Sequence, residues 1–332
     1  MKHLVRYNIL MAFLAIGMMF VSCKQERSKG IPKSTGKTAE VLIVADELVW
    51  KGPVGDALRN SLLKDVDYLP QPEPRFFPVN IPIKAFTDLY QKHHKIILVE
   101  IDEKLDSALI QTKADYWASP QQFIRMRAPS EAALIAAFQQ REQNVLDLLE
   151  NAERNRMIQL YEQLNDLQIR NRLREQMGIS LLVPSGFYIA KMEPEFAWLR
   201  KETKDFSQGL LIYFTPYNDT AQFSTELILN RRNQLTQIHV PGTAPGSYMI
   251  TSPVIGAISE PLYFKDRFAV KTYGLWDVQG DFMGGPFLNY AILDETKNRI
   301  LNLDAFVYFP NNEKRDLMLQ MDALIHTLEI NP

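Results

Sequence analysis

Cysteine is nearly absent: the chain of 332 residues holds one, Cys23. No internal disulfide can form, and no zinc or redox motif built on paired cysteines exists. Histidine is scarce as well, with five residues too scattered to form a metal set by spacing. An excess of one charge is also missing. The 37 basic and 39 acidic residues give a formal net charge of −2, which disfavours a broad basic face for nucleic acid. Neither HExxH nor GxSxG occurs, and the GPVGD stretch at 52–56 lacks the length and the Lys of a phosphate-binding loop. No catalytic residue, metal or cofactor is therefore assigned, and the expected role is non-enzymatic.

What is present is ordinary globular material. Hydrophobic residues make up 46% and charged residues 23%, enough to bury a sizeable core in one large or two smaller domains. Long apolar runs are limited to Ile9–Phe20 (ILMAFLAIGMMF), which follows Lys2 and Arg6 and is too short to span a bilayer. A basic start, a short apolar run and small residues before a cut are the marks of a signal peptide. Val21 and Ser22 precede Cys23, so the segment resembles a bacterial lipobox, with Phe20 standing where Leu is usual. That resemblance implies cleavage between Ser22 and Cys23 and acylation, such as palmitate, on Cys23. The expected plan begins with a signal peptide at 1–22 and a polar tether at 23–38. The expected address is the envelope, lipid-anchored, on the outer membrane and facing the periplasm.

Beyond the tether, Glu40–Ala45 (EVLIVA) and Lys95–Ile101 (KIILVEI) read as buried strands. Asp46–Trp50 is expected to turn, Gly55–Val66 to be helical, and the proline-rich 68–82 to run extended without ladder pairing. Ala85–His94 has the spacing of a second helix, with His93 and His94 pointing in different directions at its end. These elements suggest an α/β domain at 39–128. From Ser130, a plausible N-cap, to Met177 there is neither Gly nor Pro. One helix of that length would reach roughly 70 Å, so a hairpin or a long connecting helix is expected over 129–177. The apolar stripe loses phase near Glu153–Arg156, and the charge-rich 141–174 is read as a solvated face. After Gly178 short strands take over, including Leu181–Pro184, Gly186–Lys191 and Gly209–Thr215. Arg267–Val278, Gly285–Leu293 and Arg299–Phe309 should pair antiparallel. Lys314–Leu328 reads as an amphipathic helix. The fold class is α+β: a small N-terminal α/β unit, a helical connector, and a 178–332 domain of antiparallel sheet with packed helices.

The lipobox, EVLIVADELVW with GDALR, LPQPEPRF, FAWLRKET, and GLWDVQGDFMGGPF followed by FVYFP and a last helix resemble an uncharacterised lipoprotein family of Bacteroidota. That family is catalogued as a domain of unknown function. The resemblance implies an envelope location and transfers no activity.

Two places are singled out for binding. Asp46, Trp50 and Asp56 follow the first strand, where ligands favour open α/β sheets. Turn chemistry explains every one of these residues and is the favoured reading: Asp46 ends a strand, Trp50 fills core and Gly52–Gly55 makes a turn. Asp281, Phe282 and Met283 sit in the glycine cluster GDFMGGP, a loop or bulge that also suits a partner surface. The functional expectation is a lipid-anchored binding or assembly module, touching the membrane through its N-terminal lipid and a protein partner in the envelope. The alternative is a periplasmic small-ligand-binding protein or hydrolase that uses the loop after the first strand.

Overall fold

Apolar, β-branched runs build the first sheet of the computed structural model, which describes residues 30–330. The elements in order are β1 (Glu40–Val44), α1 (Glu47–Lys51), α2 (Pro53–Leu62), β2 (Phe77–Ile81), α3 (Asp88–Gln91), β3 (Lys95–Ile101), β4 (Leu109–Ala114) and β5 (Gln122–Ala128). The strand order is β2-β1-β3-β5-β4, parallel except for the β4–β5 pair. Three expectations need correction. Asp46–Trp50 is a helical turn led by Asp46 rather than a loop. The proline-rich stretch does pair, because β2 is an edge strand where Pro78 leaves its missing N–H at no cost to a neighbour. Ala85–His94 holds only the four-residue α3, and His93 and His94 lie beyond it with their rings stacked, centroids 5.1 Å apart. The expected strands did not include β4, whose mostly exposed side chains show no apolar alternation.

Three helices follow: α4 (Glu131–Gln140), α5 (Glu142–Leu164) and α6 (Leu167–Met177). Ser130 caps α4 by accepting from the N–H of Ala133, and Gly178 ends α6 at φ 67°, a left-handed residue where a side chain would strain. The helices break at Arg141 and at Asn165–Asp166, where the Asp166 side chain caps α6. The lost phase near Glu153 does not mark a break. α5 is continuous there, and its buried stripe runs Leu149, Glu153, Met157, Tyr161 with a carboxylate in it. The charge-rich segment is therefore not simply a solvated face.

The second sheet comprises β7 (Tyr188–Glu193), β8 (Phe196–Glu202), β9 (Ser207–Pro216), β10 (Tyr248–Thr251), β11 (Ile258–Phe264), β12 (Arg267–Gln279), β13 (Gly284–Asp294) and β14 (Arg299–Tyr308). Its order is β10-β12-β13-β14-β9-β8-β7, with β11 sharing the outer edge of β12, and every pairing is antiparallel. Leu181–Pro184 is not a strand of this sheet; the short β6 (Ile179–Ser180) pairs instead with β15 (Glu329–Ile330). Helix α7 (Thr225–His239) packs on one face, where Arg232 and Asp304 form a fully buried ion pair at 2.8 Å. Helix α8 (Arg315–His326) packs on the other, and Leu317, Met321, Leu324 and Leu328 join the largest core there. The fold is mixed α+β, as the residue patterns indicate. From Lys33 onward it forms one compact unit.

Candidate functional site

Two buried glutamates fasten the first sheet and its connections to the rest of the unit. Glu153 of α5, 1% exposed, accepts from Lys95 Nζ and from the Ala39 N–H at 3.0 Å, with His94 Nε2 also 3.0 Å away. Burial alone would raise its carboxyl, but the contacts with His94 and Lys95 outweigh that and hold it well below the usual carboxylate range. Burial in turn lowers the Lys95 ammonium, against the pull of Glu153. Glu73, from the proline-rich segment, reaches the start of α8 and accepts from the Lys314 and Arg315 N–H groups at 2.9 and 2.7 Å. The helix has no cap of its own, so a residue from the other half of the chain supplies it.

Between these fastenings lies a cavity of ≈ 460 Å³ walled by α5, α8, β11, β12 and the segment leading to β2. Asp322 of α8, 7% exposed, is its most elaborated group. It accepts from the Tyr290 hydroxyl at 2.6 Å and from Arg154 Nε at 3.0 Å, with Lys271 Nζ at 3.6 Å. Burial would raise this carboxyl, yet Lys271, His326, Arg154 and the Tyr290 hydroxyl together hold it well below the usual range. Glu150 of α5 also lines the cavity, 3.3 Å from Arg75 Nε. Its carboxyl goes the other way: burial raises it more than Arg75, Lys271 and Arg154 lower it. The rings of Tyr68 and Tyr273 pack 5.1 Å apart, and the Tyr273 hydroxyl donates to Glu260 at 2.7 Å. Lys271, Arg75 and Glu150 keep about a quarter to a third of their side-chain surface open. The cavity thus offers partly available charges of both signs above a fully paired carboxylate. Among the described residues, no Ser, Thr, Cys or His lines it.

The residues expected to form sites fall elsewhere. Ser22 and Cys23 lie outside the described residues. Asp46 is exposed, Asp56 is an exposed partner of Arg59 at 2.6 Å, and Trp50 is half-buried with the Arg59 guanidinium 4.5 Å over its ring. They line none of the hollows described here. In the glycine cluster, Phe282 is fully exposed while Met283 turns inward against Trp276 and Met249. Asp281 ties the loop back, accepting from the Thr243 N–H at 3.1 Å. The cavity residues Glu150, Arg154, Lys271 and Asp322 were not singled out by motif reasoning. One signal did exist: Asp322 falls in phase with Met318 and Ile325 on the apolar stripe of the last helix, all of them buried.

Two family models match the chain: Domain of unknown function (DUF8532) over residues 34–162 and Domain of unknown function (DUF4837) over residues 166–327. The seam between them coincides with the break between α5 and α6. Among curated proteins nothing matches. The chain is distantly similar to the Ran-binding protein Mog1p of Saccharomyces cerevisiae, with 8% identity over 46% of this chain and 90% of that one, TM-score 0.30. It is similar in the same degree to LpqN of Mycobacterium tuberculosis, a protein involved in cell envelope biogenesis, with 13% identity over 46% of this chain and 83% of that one, TM-score 0.29. Likeness of this size carries no argument for function.

Proposed function

We propose that the protein is a lipid-anchored protein of the cell envelope, held through Cys23, that binds a small ligand bearing charges of both signs in the cavity beside Asp322. One observation carries the reading: partly open Lys271, Arg75 and Glu150 converge on a hollow of ≈ 460 Å³, a size and polarity suited to a small polar ligand. A ligand carboxylate would meet Lys271 and Arg75, and a ligand ammonium would meet Glu150. The anchor reading rests on the basic start, the apolar run and the placement of the single Cys. The outer membrane, facing the periplasm, is the proposed address.

Calorimetry of the purified protein with free amino acids, simple sugars and simple carboxylates tests the site. A zwitterion should bind, and Lys271→Met should weaken it by about tenfold or more, as losing a charged hydrogen-bond partner does. Binding by sugars alone, or binding indifferent to Lys271→Met, would overturn the proposal. Labelled palmitate incorporated by the wild-type chain and not by Cys23→Ala tests the anchor separately.

A second reading has one observation in its favour. Glu150 is raised and Asp322 lowered within the same cavity, the separation that acid–base pairs show. Asp322 is, however, already occupied by Tyr290, Arg154 and Lys271, so binding without conversion is preferred.

A further inference from the structure

The residues from Val240 to Ser259 include no Asp, Glu, Lys, Arg or His. The loops they form, 241–247 and 252–257, sit beside the 280–283 hairpin. Thr243 is hydrogen-bonded to Asp281, and Pro253 and Phe282 share a shallow hollow. Gly280, at φ 84°, turns the hairpin so that Phe282 stands fully in solvent. Val254 is 85% exposed and Ile255 49%. The tip thus carries a fully exposed Phe, and the loop that follows Pro253 carries two exposed branched side chains, with no basic or acidic residue between Val240 and Ser259.

Strand register says where this tip lies. Glu202 pairs with Ser207, Ser207 with Tyr308, Phe306 with Phe287, Gly284 with Asp277, and Gln279 with Tyr248. The 203–206 and 280–283 hairpins therefore occupy the same end of the sheet. At that end Lys33 shares a hollow with Lys201 and Gln208. Lys33 lies ten positions after Cys23, a span of at most about 35 Å when fully extended. A lipid on Cys23 would thus leave this end of the sheet within reach of the bilayer.

We propose that Phe282, Val254 and Ile255 insert into the interface of the membrane that holds the anchor, so that the body is docked and oriented rather than swinging on its tether. This rests on the anchor reading of Cys23. Apolar side chains on loop tips bind a bilayer by burying their surface among headgroups and upper acyl chains. The only carboxylates on the hairpin and its flank, Asp277 and Asp281, give no attraction for anionic lipid. Docking should therefore be apolar and insensitive to salt.

The test uses the mature-length chain, Cys23 to Pro332, carrying Cys23→Ser so that acylation cannot contribute, floated with vesicles of phosphatidylcholine and phosphatidylethanolamine. The unacylated chain should float with the vesicles equally at low and high salt. Phe282→Ser combined with Val254→Ser should cut partitioning by about tenfold or more, from the apolar area lost, with melting temperature unchanged. Phe282→Trp adds a readout that does not depend on the double variant folding: its fluorescence should be quenched by brominated lipid. No flotation, equal flotation of the double variant, or no quenching would each overturn the proposal. So would self-association that is lost with Phe282→Ser, which would mark the tip as a contact between copies. Palmitate labelling of the wild-type chain reads the anchor independently, so failure of docking and failure of the anchor are distinguishable.

Discussion

At the scale of single residues, the chain places charge where packing would prefer hydrocarbon, and each such residue is held by several partners. Glu153 has Lys95, His94 and the Ala39 N–H; Asp322 has Tyr290, Arg154 and Lys271. A buried charge without partners would cost several kcal/mol, so removing one member of such a set destabilises more than the pair itself is worth. His94 has a consequence for pH. Burial lowers its imidazole from the ordinary 6.5 to about 4, with Lys95 adding to the effect and Glu153 opposing it. The folded value lies below the unfolded one, so protonation favours the unfolded chain. The stability contributed by neutral His94 is complete above the ordinary value and is lost as pH falls through that window. The loss approaches about 1.4 kcal/mol per pH unit between the two values. Denaturant unfolding measured from pH 7 down to pH 4 should show this decline, and His94→Gln should flatten it. Equal slopes in the two proteins would mean that His94 is not the group responsible.

At the scale of elements, the helices were legible where their ends are made locally. Ser130 and Gly178 are visible as a start and a stop because a cap is a property of neighbouring residues. The start of α8 was not legible in the same way. Lys314 offers no side-chain cap, and the acceptor arrives from Glu73 in the proline-rich segment. That segment turns at Val66–Leu69 before it reaches β2, and its path presents Glu73 to the helix N-terminus, a purpose that periodicity cannot reveal. Glu73→Ala should lower stability by about 2 kcal/mol, the upper range for a cap, since the orphaned N–H groups are buried. Glu73→Gln, which retains an acceptor, should cost less. Chemical denaturation reads both, and a Glu73→Ala protein as stable as wild type would show that the cap is redundant.

For the whole molecule, the regions matched by two family models meet at the α5–α6 break, yet the contacts do not stop at that seam. Glu73, on the first side, caps α8; Arg154, also on the first side, pairs with Asp322. The charged cavity is built from both sides together. Unfolding should therefore be a single transition, with far-UV and near-UV circular dichroism changing together. Two resolved transitions would show that each matched region is stable alone and that the cavity forms only by their docking.

The α+β class, the capped ends of α4 and α6 and the antiparallel run from β12 to β14 follow from residues a few positions apart, and so the sequence by itself determines them. The polar edge strand β4, the pairing of Pro78 in β2 and the stacking of His93 on His94 depend on what a distant segment places alongside. The same holds for the cavity. Arg75, Glu150, Lys271 and Asp322 come from four separate stretches of chain, and nothing local to any of them marks the others. Only tertiary packing decides which charges converge, because buried electrostatics is set by distance in space and by exclusion of water, neither of which is written in sequence spacing.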